Sequence, residues 1–164
     1  MSIRQEAARD KSRIATLIAR TYLSEGASTV EQTGILRSLD TYLEKLAFVF
    51  EAEGSVDAYA LFTPVNVAGA SGAVMLAPFA VDTKKIDFDV AGFLMSTFEK
   101  VSLQGIRYVF VLGNLDDLAA LGFKFAEDCG FTLTGNPPVS LLVKDLGAGA
   151  ELKGEVTVPE ILLS

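Results

Sequence analysis

"AVMLAPFAVDTKKIDFDVAGFLMSTFEKV" (residues 73–101) is the stretch on which the fold turns. Its first nine residues form an apolar run suited to a buried strand, and "FLMSTFEKV" repeats at helical spacing, with Phe93, Leu94, Phe98 and Val101 on one face. A strand running into a helix presents free backbone N–H groups at the turn, a favoured place for a phosphate. Such turns are normally rich in glycine, so that backbone can approach the ligand. Here Lys84, Lys85, Asp87 and Asp89 fill the turn, and no glycine comes before Gly92. An aspartate at position 89 is a good N-cap that can satisfy those N–H groups itself.

The flanking chain fits around this unit. Residues 10–23 place Ile14, Leu17, Ile18 and Tyr22 on one helical face, with Asp10 as the N-cap. Ser28 and Glu31 stand at capping-box spacing ahead of Ile35, Leu36 and Leu39. The period then shortens to strands at 45–53, 57–67 and 73–81, with "GASG" (69–72) turning the second into the third. After the helix come a strand at 106–113, a short helix at 115–123, late strands at 131–135 and 138–146, and a tail lying loosely or at an edge. An antiparallel meander followed by a strand–helix–strand crossover predicts an α/β (α+β) domain. Its mixed, mostly antiparallel central sheet carries helices on both faces. The ligand site belongs where the sheet changes direction, at the end of "APFAV". A single domain over 1–164 is expected, with a core to about 146 and a C-terminal tail (147–164) packed on the sheet.

Composition narrows the function. The chain has 164 residues, half of them hydrophobic, and a net charge of −7. Its mean hydropathy is +0.37 and its pI about 4.6. Such acidity disfavours nucleic acid and anionic lipid as partners. Residues 58–81 carry no charge, but Pro64, Asn66, the 69–72 turn and Pro78 break them into strands rather than a membrane span. The N-terminus lacks the apolar core of a secretory signal and there is one cysteine, so a cytoplasmic protein is expected. With no histidine, Ser-His-Asp and Cys-His catalysis and the usual zinc sites drop out, and no metal site is expected. Cys129, between carboxylates and an apolar run, is a poor nucleophile.

The ordered set "YALFTPVNV", "LAPFAV", "YVFVLGN", "LGFKFAEDCGF" and "PPVSLLVKDL…LKGEVTVPEIL" resembles the GNAT superfamily of N-acetyltransferases over nearly the whole chain. The resemblance implies a GNAT-like acyl-CoA N-acyltransferase fold with acetyl-CoA as cofactor. Backbone of Phe79, Ala80 and Val81 would bind the pantetheine arm, and the following loop and helix start (Lys84, Lys85, Asp89, Val90, Ala91) the pyrophosphate. Against the family's Q/R-x-x-G-x-G/A signature, "IDFDVA" (86–91) puts Ile86 at the Gln/Arg position and Asp89 at the first glycine, keeping only Ala91. The helix "LDDLAALGF" offers Asp117 where many family members have a tyrosine acid, Glu51 or Glu53 is the candidate base acting through a water, and Asn114 can hydrogen-bond a ligand. Each also has a plain structural reading: Asp117 complements a helix dipole, Glu51 is solvated, Asn114 makes a turn, and Lys84 and Lys85 are a solvated pair.

Two functions follow. One is acetyl transfer from acetyl-CoA to a small-molecule or peptide amine. The other is a GNAT-fold binding or interaction module that has lost acetyl-CoA. Family members often pair as homodimers, and the apolar tail "PEILLS" offers a surface for that.

Overall fold

The computed structural model describes residues 2–22, 26–40, 42–82, 84, 88–133 and 139–162. In chain order the elements are β1 (Ser2–Gln5), α1 (Lys11–Tyr22), α2 (Gly26–Ser38), β2 (Ala47–Ala52), β3 (Ser55–Val67), β4 (Ala70–Val81) and α3 (Val90–Ser102). There follow β5 (Tyr108–Gly113), α4 (Leu115–Leu118), β6 (Lys124–Phe125), β7 (Phe131–Leu133), β8 (Ser140–Asp145) and β9 (Gly154–Thr157). The chain divides into two compact units, Met1–Thr63 with Ala77–Thr97, and Pro64–Leu76 with Phe98–Ser164.

In the first unit the strand order is β1-β2-β3-β4. Antiparallel pairing sets Val49 opposite Tyr59 and Phe48 opposite Ala60. Successive side chains in a strand point to opposite faces. Phe50 meets Phe93 of α3 at 6.5 Å between ring centroids, whereas Tyr59, on the other face, lies under Arg37 of α2 at 5.8 Å. Helices therefore cover both faces. Ile14, Leu17 and Ile18 are buried, and so are Phe93 and Leu94. Of the face expected on α2, Leu36 is buried but Ile35 is 38% exposed. The helix also starts at Gly26, so Ser28 lies within its first turns and is not its N-cap.

In the second unit the order is β4-β5-β8-β6, with β9 paired to both β3 and β7. The crossover makes β4 and β5 parallel, with Ala73 opposite Tyr108, while β5 and β8 run antiparallel. The sheet is thus mixed and mostly antiparallel. Phe131 packs edge-on against Tyr108 and Phe110, each at 5.1 Å, and Phe98 against Phe123 at 5.8 Å. The tail is not loose: β9 has strands on both sides, and the Leu152 N–H donates to the Tyr108 hydroxyl at 3.1 Å. The β3–β4 turn falls at Ala68–Gly69 rather than across 69–72. Both turn residues have positive φ (49° and 82°), the mirror-image geometry that matches strand twist in two-residue hairpins.

Candidate cofactor site at the end of the fourth strand

The end of β4 is tied down from two sides. Thr21, near the end of α1, donates its hydroxyl to the Val81 carbonyl at 2.9 Å. The next residue, Asp82, donates its N–H to the Asp57 carbonyl of β3 at 2.8 Å. Ala80 is fully buried, and Phe79 and Val81 are half-buried. The Asp82 carboxylate then accepts the Lys84 N–H at 3.0 Å, an Asx-type turn that holds exposed Lys84 at the start of the connection. Lys85, Ile86 and Asp87 lie outside the described residues.

Asp89 is the N-cap of α3. Its Oδ1 accepts the Gly92 N–H at 2.9 Å, and its carbonyl accepts the Phe93 N–H at 3.0 Å. One of the orphan donors at this helix start is thus satisfied by a carboxylate of the chain itself. A Cβ on Gly92 would collide with the Asp89 carboxylate, its carbon lying 2.8 Å away. Val90 is half-buried and Ala91 exposed.

Below the turn, Phe88 and Phe93 flank the cap at N′ and N4, with ring centroids 6.0 Å apart. This is the hydrophobic staple that fixes the angle at which chain enters a helix. Phe50 supports it from β2 at 5.0 Å from Phe88, and Phe79 stacks on Phe93 at 6.3 Å. The sequence reading missed the staple, although its signal is present: "FDVAGF" spaces two aromatics around an N-cap aspartate.

Glu51, in the same unit, is 28% exposed and engaged. Arg4 reaches it at 3.1 Å and Arg13 at 3.6 Å, while Arg4 also grips Asp10 with two bonds of 2.7 and 2.9 Å. The Arg4 hydrogen bond holds the Glu51 carboxyl below its usual range, which keeps it ionised but makes it a weaker base. Across the sheet from α3, Glu6 accepts from the Tyr59 hydroxyl at 2.9 Å and the Tyr42 hydroxyl at 3.4 Å, and pairs with Arg37. Neither network was foreseen from the sequence.

In the second unit, Asn114 is the N-cap of α4, its Oδ1 accepting the Asp116 N–H at 2.9 Å. Asp117 is exposed in the first turn of that helix. Among the described residues no cluster of three metal-ligating side chains occurs, and no helix is long and apolar enough to cross a membrane.

No protein-family model matches the chain, and no curated protein matches it. Solved structures do. A GNAT family N-acetyltransferase from Escherichia coli (YhbS), in complex with CoA, is 26% identical and superposes with a TM-score of 0.85 over 98% of this chain and 91% of its own. A GNAT acetyltransferase from Brucella melitensis, in complex with acetyl-CoA, is 20% identical with a TM-score of 0.77, covering 98% and 97%. The ribosomal-protein-S18-alanine N-acetyltransferase of Escherichia coli is 15% identical with a TM-score of 0.61, covering 92% and 96%. With this sheet order, this crossover and these likenesses, the chain has the fold of the GNAT N-acetyltransferases.

Proposed function

We propose that the protein binds acetyl-CoA and transfers its acetyl group to an amine. The observation that carries this reading is the likeness, over 98% of the chain, to a GNAT N-acetyltransferase solved with CoA. The pantetheine arm would lie along the backbone of Phe79, Ala80 and Val81, whose position is fixed by the aromatic cluster on one face and Thr21 on the other. Lys84, with Lys85, supplies charge for the pyrophosphate, and Ala91 would offer its backbone N–H at the helix start; the Val90 N–H donates to the Phe88 carbonyl at 3.1 Å and would have to leave it to reach a phosphate. Catalysis is then chiefly positioning and carbonyl polarisation. The neutral amine nitrogen attacks the thioester carbon, the C–S bond breaks, CoA leaves as thiolate, and the ammonium proton passes to Glu51 through water. Asp117 is the candidate proton donor to the thiolate if substrate binding buries it, and Asn114 a polar contact to the ligand. The acceptor is a small-molecule or peptide amine, and the working form a cytoplasmic homodimer.

One specific feature favours a second reading, a binding module without acetyl-CoA: the Asp89 carboxylate already occupies the helix start where a phosphate would sit. Calorimetric titration with acetyl-CoA, with CoA beside it, separates the two. Micromolar affinity followed by thiol release in an amine screen supports the transferase. Absence of heat and of thermal stabilisation at millimolar ligand overturns it in favour of the module.

A further inference from the structure

We infer that the groove between α1 and the β2–β3 turn is a second anion site, built to hold a carboxylate or phosphate group of a ligand other than acetyl-CoA between Arg13 and Arg20. The groove has a volume of about 210 Å³, with Arg13, Thr16, Leu17 and Arg20 on one wall and Ser55 and Val56 on the other. That is room for a small anionic head group.

The charge pattern is unusual for this chain. A protein of net charge −7 presents one helix, α1, with Lys11, Arg13 and Arg20 and no acidic residue. Arg13 and Arg20 are seven residues apart, about two helical turns, so they share a face across roughly 10 Å. Their side chains are 49% and 52% exposed. Their present contacts, 3.6 Å to Glu51 and 4.0 Å to Asp82, are longer than hydrogen bonds. Glu51 already accepts from Arg4 at 3.1 Å, so withdrawing Arg13 leaves no orphaned carboxylate. Asp57 also lies beside the groove, but it is buried and its Oδ1 takes the Ser55 hydroxyl at 2.8 Å. The Thr16 hydroxyl is directed to the Ser12 carbonyl. The attraction therefore comes from two guanidiniums held loosely enough to close on an incoming anion, the planar donors best suited to carboxylate and phosphate.

The groove borders the end of β4 at Asp82 but lies on the other face of the sheet from the start of α3. Arg37 places α2 on the Tyr59 face of the sheet and α1 packs on α2, whereas Phe93 places α3 on the opposite, Phe50 face. In the transferase reading the groove would select an acceptor with an acid group, but the anion site itself does not depend on that reading.

The test uses the whole protein at low ionic strength, titrated with inorganic phosphate and, separately, succinate. Saturable binding of at least one anion is expected. It should weaken about tenfold or more in the Arg13→Gln, Arg20→Gln double variant, since two charge-assisted contacts are lost. A control removing the same charge elsewhere, Lys100→Gln with Lys153→Gln, should leave it unchanged. Thr16→Tyr, which fills the groove but keeps both arginines, should also abolish binding and covers the case of a misfolded double variant. Saturating CoA should not displace the anion. No saturable binding by the native protein, equal binding by the double variant or Thr16→Tyr, equal loss in the control, or displacement by CoA each overturns the inference.

Discussion

The Asp89 carboxylate and the Gly92 backbone form one unit: Oδ1 accepts the Gly92 N–H at 2.9 Å, and the other oxygen, Oδ2, lies where a Gly92 side chain would be. This fixes the sign of a substitution that propensity alone would misjudge. Gly→Ala inside a helix usually stabilises by about 0.5–1 kcal/mol. Here Gly92→Ala must push away the exposed Asp89 side chain and lose its cap, a cost of about 1 kcal/mol. We expect Gly92→Ala to be neutral or destabilising in the native background and stabilising in an Asp89→Gly background. Urea unfolding of the four proteins of this cycle measures the difference. Additive effects would show that cap and methyl do not compete.

Acid sensitivity should centre on Asp10. Its side chain has no exposed surface, and the Arg4 hydrogen bonds, helped by the Ala7 N–H, hold its carboxyl below the usual range. A depressed folded-state value means the unfolded chain takes up the proton first. The contribution is therefore whole above the ordinary carboxylate value of about 3.9 and is lost as pH falls through the depressed one. Asp10→Asn should be less stable at neutral pH and should flatten the stability profile in the acid region. An unchanged acid slope would place the titrating group elsewhere.

Glu6 ranks two tyrosines. Tyr59, fully buried, donates to Glu6 at 2.9 Å, and Tyr42 at 3.4 Å. Tyr59→Phe leaves a buried carboxylate short of the closer of its two hydroxyl donors, a loss of about 1–3 kcal/mol, while Tyr42→Phe should cost less than about 1 kcal/mol. Burial, reinforced by Glu6, pushes the Tyr42 phenol up to about 12. Its stabilising share is full below the ordinary tyrosine value of about 10 and disappears as pH rises through the folded-state value. Thermal melts rank the variants, and ultraviolet titration follows the phenol. A larger loss for Tyr42→Phe would reverse the assignment.

The strands β2 to β5 and helix α3 were legible because each repeats apolar residues at its own period over many positions, and Asp89 could be read as a cap because capping is local. What escaped depends on geometry. The β3–β4 turn moved because Ala68 adopts positive φ, a conformation its side chain does not advertise, leaving Gly72 inside β4. Strand β6 has only two residues, too few for any periodic signal. The Arg4–Glu51 and Glu6–Tyr59 contacts join residues 47 and 53 positions apart, so they exist only once the sheet has formed. Of the candidate site, the strand end and helix start could be placed from sequence, and the phenylalanine staple beneath them had a local signal in "FDVAGF" that went unread, but the arginine clamp on Glu51 had none.

The capped helix start also yields a test of acetyl-CoA binding. A side chain at position 89 occupies the space that backbone approach requires, and its charge opposes a pyrophosphate. Replacing it with glycine removes both obstacles at little cost in stability, because glycine is itself an acceptable N-cap and loses only a few tenths of a kcal/mol. Ile86→Gln adds a polar donor at the position where the family signature carries Gln or Arg. The double variant Asp89→Gly, Ile86→Gln should bind acetyl-CoA about tenfold more tightly than the native chain, equivalent to about 1.4 kcal/mol. Asp89→Asn, which keeps the cap and removes the charge, should recover part of that gain and so divide charge from bulk. Equal affinity in all three proteins would mean that Asp89 does not stand in the cofactor's way, and the phosphate contacts would then have to come from Lys84 and Lys85 alone.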